Sequence, residues 1–509
     1  MEVLKNVKKN KVLKIVILFI SIIEIITPFI FIYIKKLEKC FHTSYGLIDV
    51  NLLNSPKILF LNPNILAILC VILSIIGIAY YNLKLSIKNT NVETNGIIFK
   101  KKDGTHGTAG FANINELNDI LQVGNEKNTN GIILGKTIDT DEIIILPDSY
   151  KKLNRNIMIF GASGSGKSRK FIVPNILKIA EQDERARNLE NVIQKGKNII
   201  VTDPKGELYC KTCRLLEKEG YDVKLLNLVD PEYSDGIDLI KFIDKDVDAQ
   251  TFAQVVMTTT LDIGTKKGDE FWQNTQENLL KALLLHVFLE VEDKNKRNMG
   301  YIYSILASGD IKKIDRVFQN SKEITKMAYN IYAQASDNIK QSVITGLATK
   351  LQIFQLKEIN AITKKNDIDF SKLNDEKLAI FCVISDMDST MSFLSSLFFS
   401  FLFIKVIRMA DDSPTKMLKR ELCILLDEFP NIGQIPDFQK KLATIRSRGV
   451  SCIIVCQSVS GLETLYPNNS WQGIVANTDL KIITGCNDIQ TAEYISKMLR
   501  GIYCSEPIY

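Results

Sequence analysis

Histidine is nearly missing from this sequence. There are three in 509 residues, His42, His106 and His286. Their scatter allows neither a metal cluster nor a His-dependent catalytic triad. Ten cysteines are present, but without framework spacing and without a paired CxxC…CxxC, which argues against a zinc module or a disulfide-stapled fold. The single CxxC, Cys210 to Cys213, sits in ELYCKTCRLLEKEG, a run that reads as helix. Cys423, Cys452 and Cys456 fall in apolar, strand-like runs, where thiols act as small hydrophobes and suit a reducing cytosol. Strong charge of either sign is also lacking. A net +6 permits nucleic-acid binding without arguing for it. What is present is 46% apolar and 24% charged residues, the balance of a folded chain, at a length that suggests two or three domains.

Two long apolar runs lie near the N-terminus. Residues 15–34 (IVILFISIIEIITPFIFIYI) carry one charge, Glu24, and residues 65–81 (ILAILCVILSIIGIAYY) carry none. Each is long enough, or nearly so, to cross about 30 Å of hydrocarbon as a helix. A cleaved signal peptide fits less well: the first run is too long, no small-residue cleavage site follows, and a second run comes soon after. The expectation is a transmembrane hairpin over residues 1–84. Lysines flank both runs and also occupy the intervening loop, so charge alone barely orients it. Two spans return the chain to its starting side, and the remainder is expected in the cytosol. Glu24, with Pro28 a turn later, is expected to face another helix.

The chemistry begins at an apolar strand-like run, RNIMIF (155–160), followed directly by GASGSGKS (161–168). This is GxxxxGK(S/T) between a strand and a helix. Gly161, Ala162, Ser163, Gly164, Ser165 and Gly166 let the backbone wrap phosphates, Lys167 reaches the β and γ phosphates, and Ser168 ligands Mg²⁺. ATP and Mg²⁺ are the expected ligands. A second half of such a site is an acidic pair ending a buried strand, and ELCILLDEFPNIG (421–433) supplies Asp427 and Glu428. The aspartate is placed to hold the metal shell, the glutamate to polarise a water. VSCIIVCQS (450–458) ends in Gln457, either a γ-phosphate sensor or an ordinary strand-end amide. Upstream, Arg446 and Arg448 in KLATIRSRG read as solvated charges, or one of them as a finger serving a neighbouring subunit.

Further strand-like runs at 198–207, 221–229, 378–385 and 480–485 alternate with helical segments, which argues an α/β fold with a mostly parallel sheet. The texture between about 245 and 370 is helical, with ENLLKALLLHVFLEV as an amphipathic run. The expected layout is a hairpin at 1–84 and a nucleotide-binding domain in two parts. The first part spans 85–245, an all-α insert occupies 246–370, and the second part spans 371–509.

Taken together these segments resemble one family, the type IV secretion coupling proteins, TraG/TraD-type conjugative DNA-transfer ATPases. The resemblance runs from about 104 to 500. It is carried by DGTHGTAGFANINEL (103–117), GIILGK (131–136), the glycine loop with VPN at 173–175, and VTDPKGELY (201–209). DEFWQNTQENLL (269–280), IFCVISDMDSTMSFL (380–394), DEFPNIG, ATIRSRG…CQS and ANTDLKIITGCNDIQTAEYIS (476–496) complete it. It implies a RecA-like motor with an all-α insert, anchored in the cytoplasmic membrane and assembled as a homo-hexamer around a DNA channel. It also implies partners: single-stranded DNA with its relaxase, and the secretion channel. By position it makes Asp427 and Glu428 the acidic motif, Gln457 the sensor and Arg446 the trans-acting finger. Family members run well past the segment ending near Leu499, so a chain ending at Tyr509 is expected to lack their final elements.

Three functions fit: a single-stranded DNA translocase, an FtsK-like double-strand pump, and a docking receptor for secreted proteins that uses ATP only for assembly. The intact acidic pair argues against pure binding. Deleting residues 1–84 is expected to move the chain into the soluble fraction with ATP binding retained. Membrane association that survives a high-salt wash, which strips electrostatic contacts, would show that the anchor lies elsewhere.

Overall fold

The computed structural model describes residues 120–499 apart from 125–130, 138–139, 149–152, 188–195, 261–269 and 386–390. From the first 119 residues it describes residue 77 and an antiparallel pair, β1 (Asn91–Thr94) and β2 (Ile97–Lys100). The runs at 15–34 and 65–81 (Gly77 apart), Glu24, residues 103–117 and the end beyond Leu499 lie outside the described residues. The chain divides into two units, 1–109 with 500–509, and Gly110–Leu499. All other described elements belong to the second.

That unit is built on seven strands: β6 (Ile157–Phe160), β7 (Asn198–Thr202), β8 (Asp222–Asn227), β9 (Leu378–Val383), β10 (Leu422–Leu426), β11 (Val450–Cys456) and β12 (Leu480–Ile483). Their order is β12-β6-β11-β10-β7-β9-β8 and every pairing is parallel. A parallel sheet must be covered on both faces, so its strands read as continuous apolar runs. Every residue of β6, β7, β9, β10 and β11 is buried. Alternate side chains feed two cores. Leu422, Ile424 and Leu426 of β10 join one, while Cys423 and Leu425 join the other. A three-stranded antiparallel sheet precedes it, ordered β3 (Gln122–Gly124), β5 (Ile143–Pro147), β4 (Gly131–Lys136).

The second core is closed by α1 (Val173–Arg187) and α2 (Glu207–Lys218), through Ile176, Ile179, Leu208 and Leu216. The first is closed by the helices between β8 and β9. These are α3 (Asp246–Thr259), α4 (Glu270–Leu289), α5 (Met299–Ala307), α6 (Ile311–Gln319), α7 (Glu323–Ala333), α8 (Asp337–Lys350) and α9 (Lys357–Ile362). The run in α4 that reads as amphipathic is buried almost all round from Leu279 to Val287, because α3, α7 and α8 pack around it.

After β9 comes α10 (Ser392–Asp412), buried along most of its length. Among the described residues it is the one helix long and apolar enough to cross a membrane, and its burial is that of a core helix. The remaining helices are α11 (Phe438–Ile445), α12 (Val459–Leu465), α13 (Ser470–Ala476) and α14 (Ile489–Met498).

An ion-pair cluster ties the start of α3 to α10, with Lys405 and Arg408 facing Asp244 and Asp248. Arg408 donates from both terminal nitrogens to the Asp248 carboxylate, at 2.7 and 2.6 Å. Asp248 is 1% exposed and also accepts from the backbone of Asp244 and Lys245. Burial pushes its pKa up, but the guanidinium and these N–H groups outweigh burial and hold it below the usual aspartate range. Arg408→Met leaves that carboxylate buried without its counter-charge, an expected loss of about 2–3 kcal/mol at neutral pH. A lowered folded-state pKa gives stability that is complete above the ordinary aspartate range and lost as pH falls through the lowered value. The variant's deficit should therefore shrink in acid. Equal urea midpoints at neutral pH would remove the pair from the account.

Candidate nucleotide site

The glycine loop leaves β6 and is clamped from both sides. Gly161 donates its N–H to the Cys456 carbonyl at the end of β11, at 3.1 Å. Thr484, just past β12, donates to the Phe160 carbonyl at 2.9 Å. A Cβ on Gly161 would lie 2.1 Å from the Thr484 hydroxyl, so any larger residue forces that side chain to move. Gly164 and Gly166 take φ of +78° and +86°, a region costly for residues with a Cβ. Lys167 is buried and donates to the carbonyls of Gly161 and Ala162 at 2.6 and 3.1 Å. Its ammonium thus sits over the mouth of its own loop.

The helix that follows begins with a π-type turn, Ser168–Ile172, before α1. Val173 bonds back to Ser168, five residues away. Pro174 supplies the reason: it has no N–H, and its ring would press on the Lys170 carbonyl in a regular helix, so the turn widens.

The acidic pair leaves β10. Asp427 is buried at 2% exposure and accepts the Ser168 hydroxyl at 2.5 Å. Its carbonyl accepts the Thr202 hydroxyl of β7 at 2.6 Å. Burial raises the Asp427 pKa, with the Glu428 charge adding to the rise, against the Ser168 hydrogen bond and the Lys167 charge. Glu428 follows at φ 49°, ψ 50°, a left-handed backbone that a glutamate rarely adopts. This turn swings its carboxylate to Gln457, whose Nε2 donates to Oε2 at 2.8 Å.

Seven parallel strands open all their C-terminal ends on one edge, and residues 161–168, Asp427, Glu428 and Gln457 meet there. Arg446 does not join them. It precedes β11, so it lies at the opposite edge, exposed, lining a cavity of about 470 Å³ with Arg155, Glu421 and Ser451. Arg448, its rival in the sequence, is tied to Asp411. Thr202, Asp203 and Thr484 were not singled out by pattern. Asp203 accepts from the Tyr209 N–H at 2.9 Å and caps the start of α2. The signals were VTDPKGELY, which holds Thr202 and Asp203 and anchors the neighbouring strand end, and ANTDLKIITG, which holds Thr484. Among the described residues no three of His, Cys, Asp and Glu converge as a metal cluster.

A family model, described as type IV secretory system conjugative DNA transfer, matches residues 188–502, more than half of the chain. The chain belongs to this family. The match carries the acidic pair and Gln457, and the glycine loop lies just ahead of it. The conjugal transfer protein TraG of Escherichia coli is 22% identical over 442 residues, covering 78% of this chain and 65% of that protein. Protein VirD4 of Rhizobium radiobacter is 23% identical over 417 residues, covering 79% and 56%. The chain thus spans 56–65% of the length of these relatives. Among solved structures, the plasmid coupling protein TrwB with the ATP analogue ADPNP superposes with a TM-score of 0.52 at 18% identity, covering 78% of this chain and 86% of that one. TrwB with ADP and Mg²⁺ gives 0.52 at 17%, covering 77% and 86%. The α/β fold with its parallel sheet is shared with TrwB.

The raised pKa of Asp427 has a sign that can be tested. An acid whose folded-state pKa is raised favours the fold while protonated, and that contribution is lost as pH rises through the folded value. At neutral pH the buried charge therefore costs stability. Asp427→Asn should melt a few degrees higher than the parent without nucleotide, the gap closing in acid. A lower melting temperature at neutral pH would mean that the carboxylate is held by more than it loses on burial.

Proposed function

We propose that this chain is an ATPase coupling protein that moves single-stranded DNA, with its relaxase, into a type IV secretion channel. It acts as a homo-hexamer held at the cytoplasmic membrane by an N-terminal hairpin, with the motor in the cytosol. One observation carries the reading: in a chain of this family, Ser168 meets Asp427 and Gln457 meets Glu428 beside the glycine loop. TrwB, which shares the fold, has been solved with ADPNP and with ADP and Mg²⁺.

The residues fit that chemistry. The backbone from Gly161 to Gly166 wraps the phosphates, and Lys167 releases its loop carbonyls to meet the β and γ phosphates. Ser168 and Asp427 are hard oxygen donors, two at a site that leaves the remaining positions to phosphate and water, as Mg²⁺ prefers. When bound, Mg²⁺ neutralises charge on the phosphate oxygens. Glu428 orients and deprotonates the attacking water. Gln457, bonded to that carboxylate, reports on the γ phosphate and aims the base. Arg446 reaches a neighbour's site across the subunit boundary.

Glu428→Gln should bind ATP as the parent does and turn it over ~100-fold or more slower, because an amide is no base. Lys167→Ala should not bind. Parent turnover should rise with single-stranded DNA. Stimulation by duplex alone would favour a double-strand pump, and ATP binding without turnover a docking receptor. Parent-rate hydrolysis by Glu428→Gln would overturn the assignment of the base.

A further inference from the structure

The short 3₁₀ turn Arg446–Arg448 is held by its third residue. Arg448 donates Nε to Asp411 Oδ1 at 2.9 Å, and its Nη2 lies 2.8 Å from the same oxygen. Its Nη1 donates to the Thr444 carbonyl at 2.8 Å, near the end of α11. Its own carbonyl accepts the Leu418 N–H at 3.1 Å. One guanidinium therefore fastens the turn to α11 and to the last turn of α10 at once. The Asp411 side chain is 46% exposed, and so open an ion pair adds little to folding stability. What the pair does do is fix the backbone two residues from exposed Arg446.

The other end of α10 touches the acidic pair's exit. Ser395 donates to the Ile432 carbonyl at 2.6 Å and Ser396 to the Gln434 carbonyl at 2.5 Å. Residues 395 to 411 of a helix span about 24 Å. A single buried rod thus joins the chain leaving Glu428 to the turn carrying Arg446.

We infer that Asp411 and Arg448 are positioning residues for Arg446, fixing the turn so that its guanidinium arrives at a neighbouring subunit's nucleotide already oriented. The inference rests on the trans-acting reading of Arg446 given above. A finger on a fixed turn orders only its own side chain on arrival, whereas a loose turn must also order its backbone.

The test uses the purified full chain, measuring ATP turnover, ATP binding and melting temperature. Arg446→Ala should bind ATP and hydrolyse it slowly. Asp411→Ala should lower kcat ~10-fold with binding and melting temperature unchanged, and Arg448→Lys should fall between it and the parent. Asp411→Ala/Arg446→Ala should be no slower than Arg446→Ala alone. Mixing Asp411→Ala with Lys167→Ala subunits should recover turnover, since the first offers an intact site and the second an intact finger. Additive losses in the double variant would overturn the inference. So would no recovery in co-assembled mixtures where Arg446→Ala does recover. Parent-rate turnover by Arg446→Ala would instead remove the finger itself, and the positioning role with it.

Discussion

The hydrogen bond between Ser168 and Asp427 ties the glycine loop to the acidic strand end, and the rest of the site is arranged around it. The two come from β6 and β10, which are not neighbours; β11 runs between them. Strands two places apart sit about 10 Å from each other. Ser168, the first residue of the π-type turn, closes the gap to Asp427, while Thr202 on the far side holds the Asp427 backbone. With that brace in place, the end of β11 falls between loop and acid, where Gln457 meets Glu428.

Much of this is legible in the sequence. Buried parallel strands leave nearly continuous apolar runs, so β6, β7, β9, β10 and β11 could be read as strands. The glycine loop and the acidic pair announce themselves because phosphate and metal chemistry narrow the choice of residue. Strand order could not be read, since each strand looks alike from both sides and the crossover helices carry no address. Nor could the role of Thr202, whose hydroxyl is one among many. The π turn had a local cue in Pro174, but a proline in the first turn of a helix is usually harmless.

Helix α4 shows a different limit. Its pattern, ENLLKALLLHVFLEV, has enough polar residues to suggest an exposed face. The structure packs α3, α7 and α8 around it, so long stems such as Lys281 and His286 end up half-buried. Periodicity reports what one helix offers, not how many neighbours accept it. The pair Arg448 and Asp411 was hidden for a similar reason, since 37 residues and a change of element separate them.

Glu428 carries its carboxylate on a backbone in the left-handed region, where glycine and asparagine are at ease and glutamate is not. Every replacement that relaxes this residue also removes the carboxylate or shortens its reach toward Gln457. Backbone ease and side-chain reach therefore pull the position in opposite directions. An easier backbone at this position comes only with the loss of the contact to Gln457.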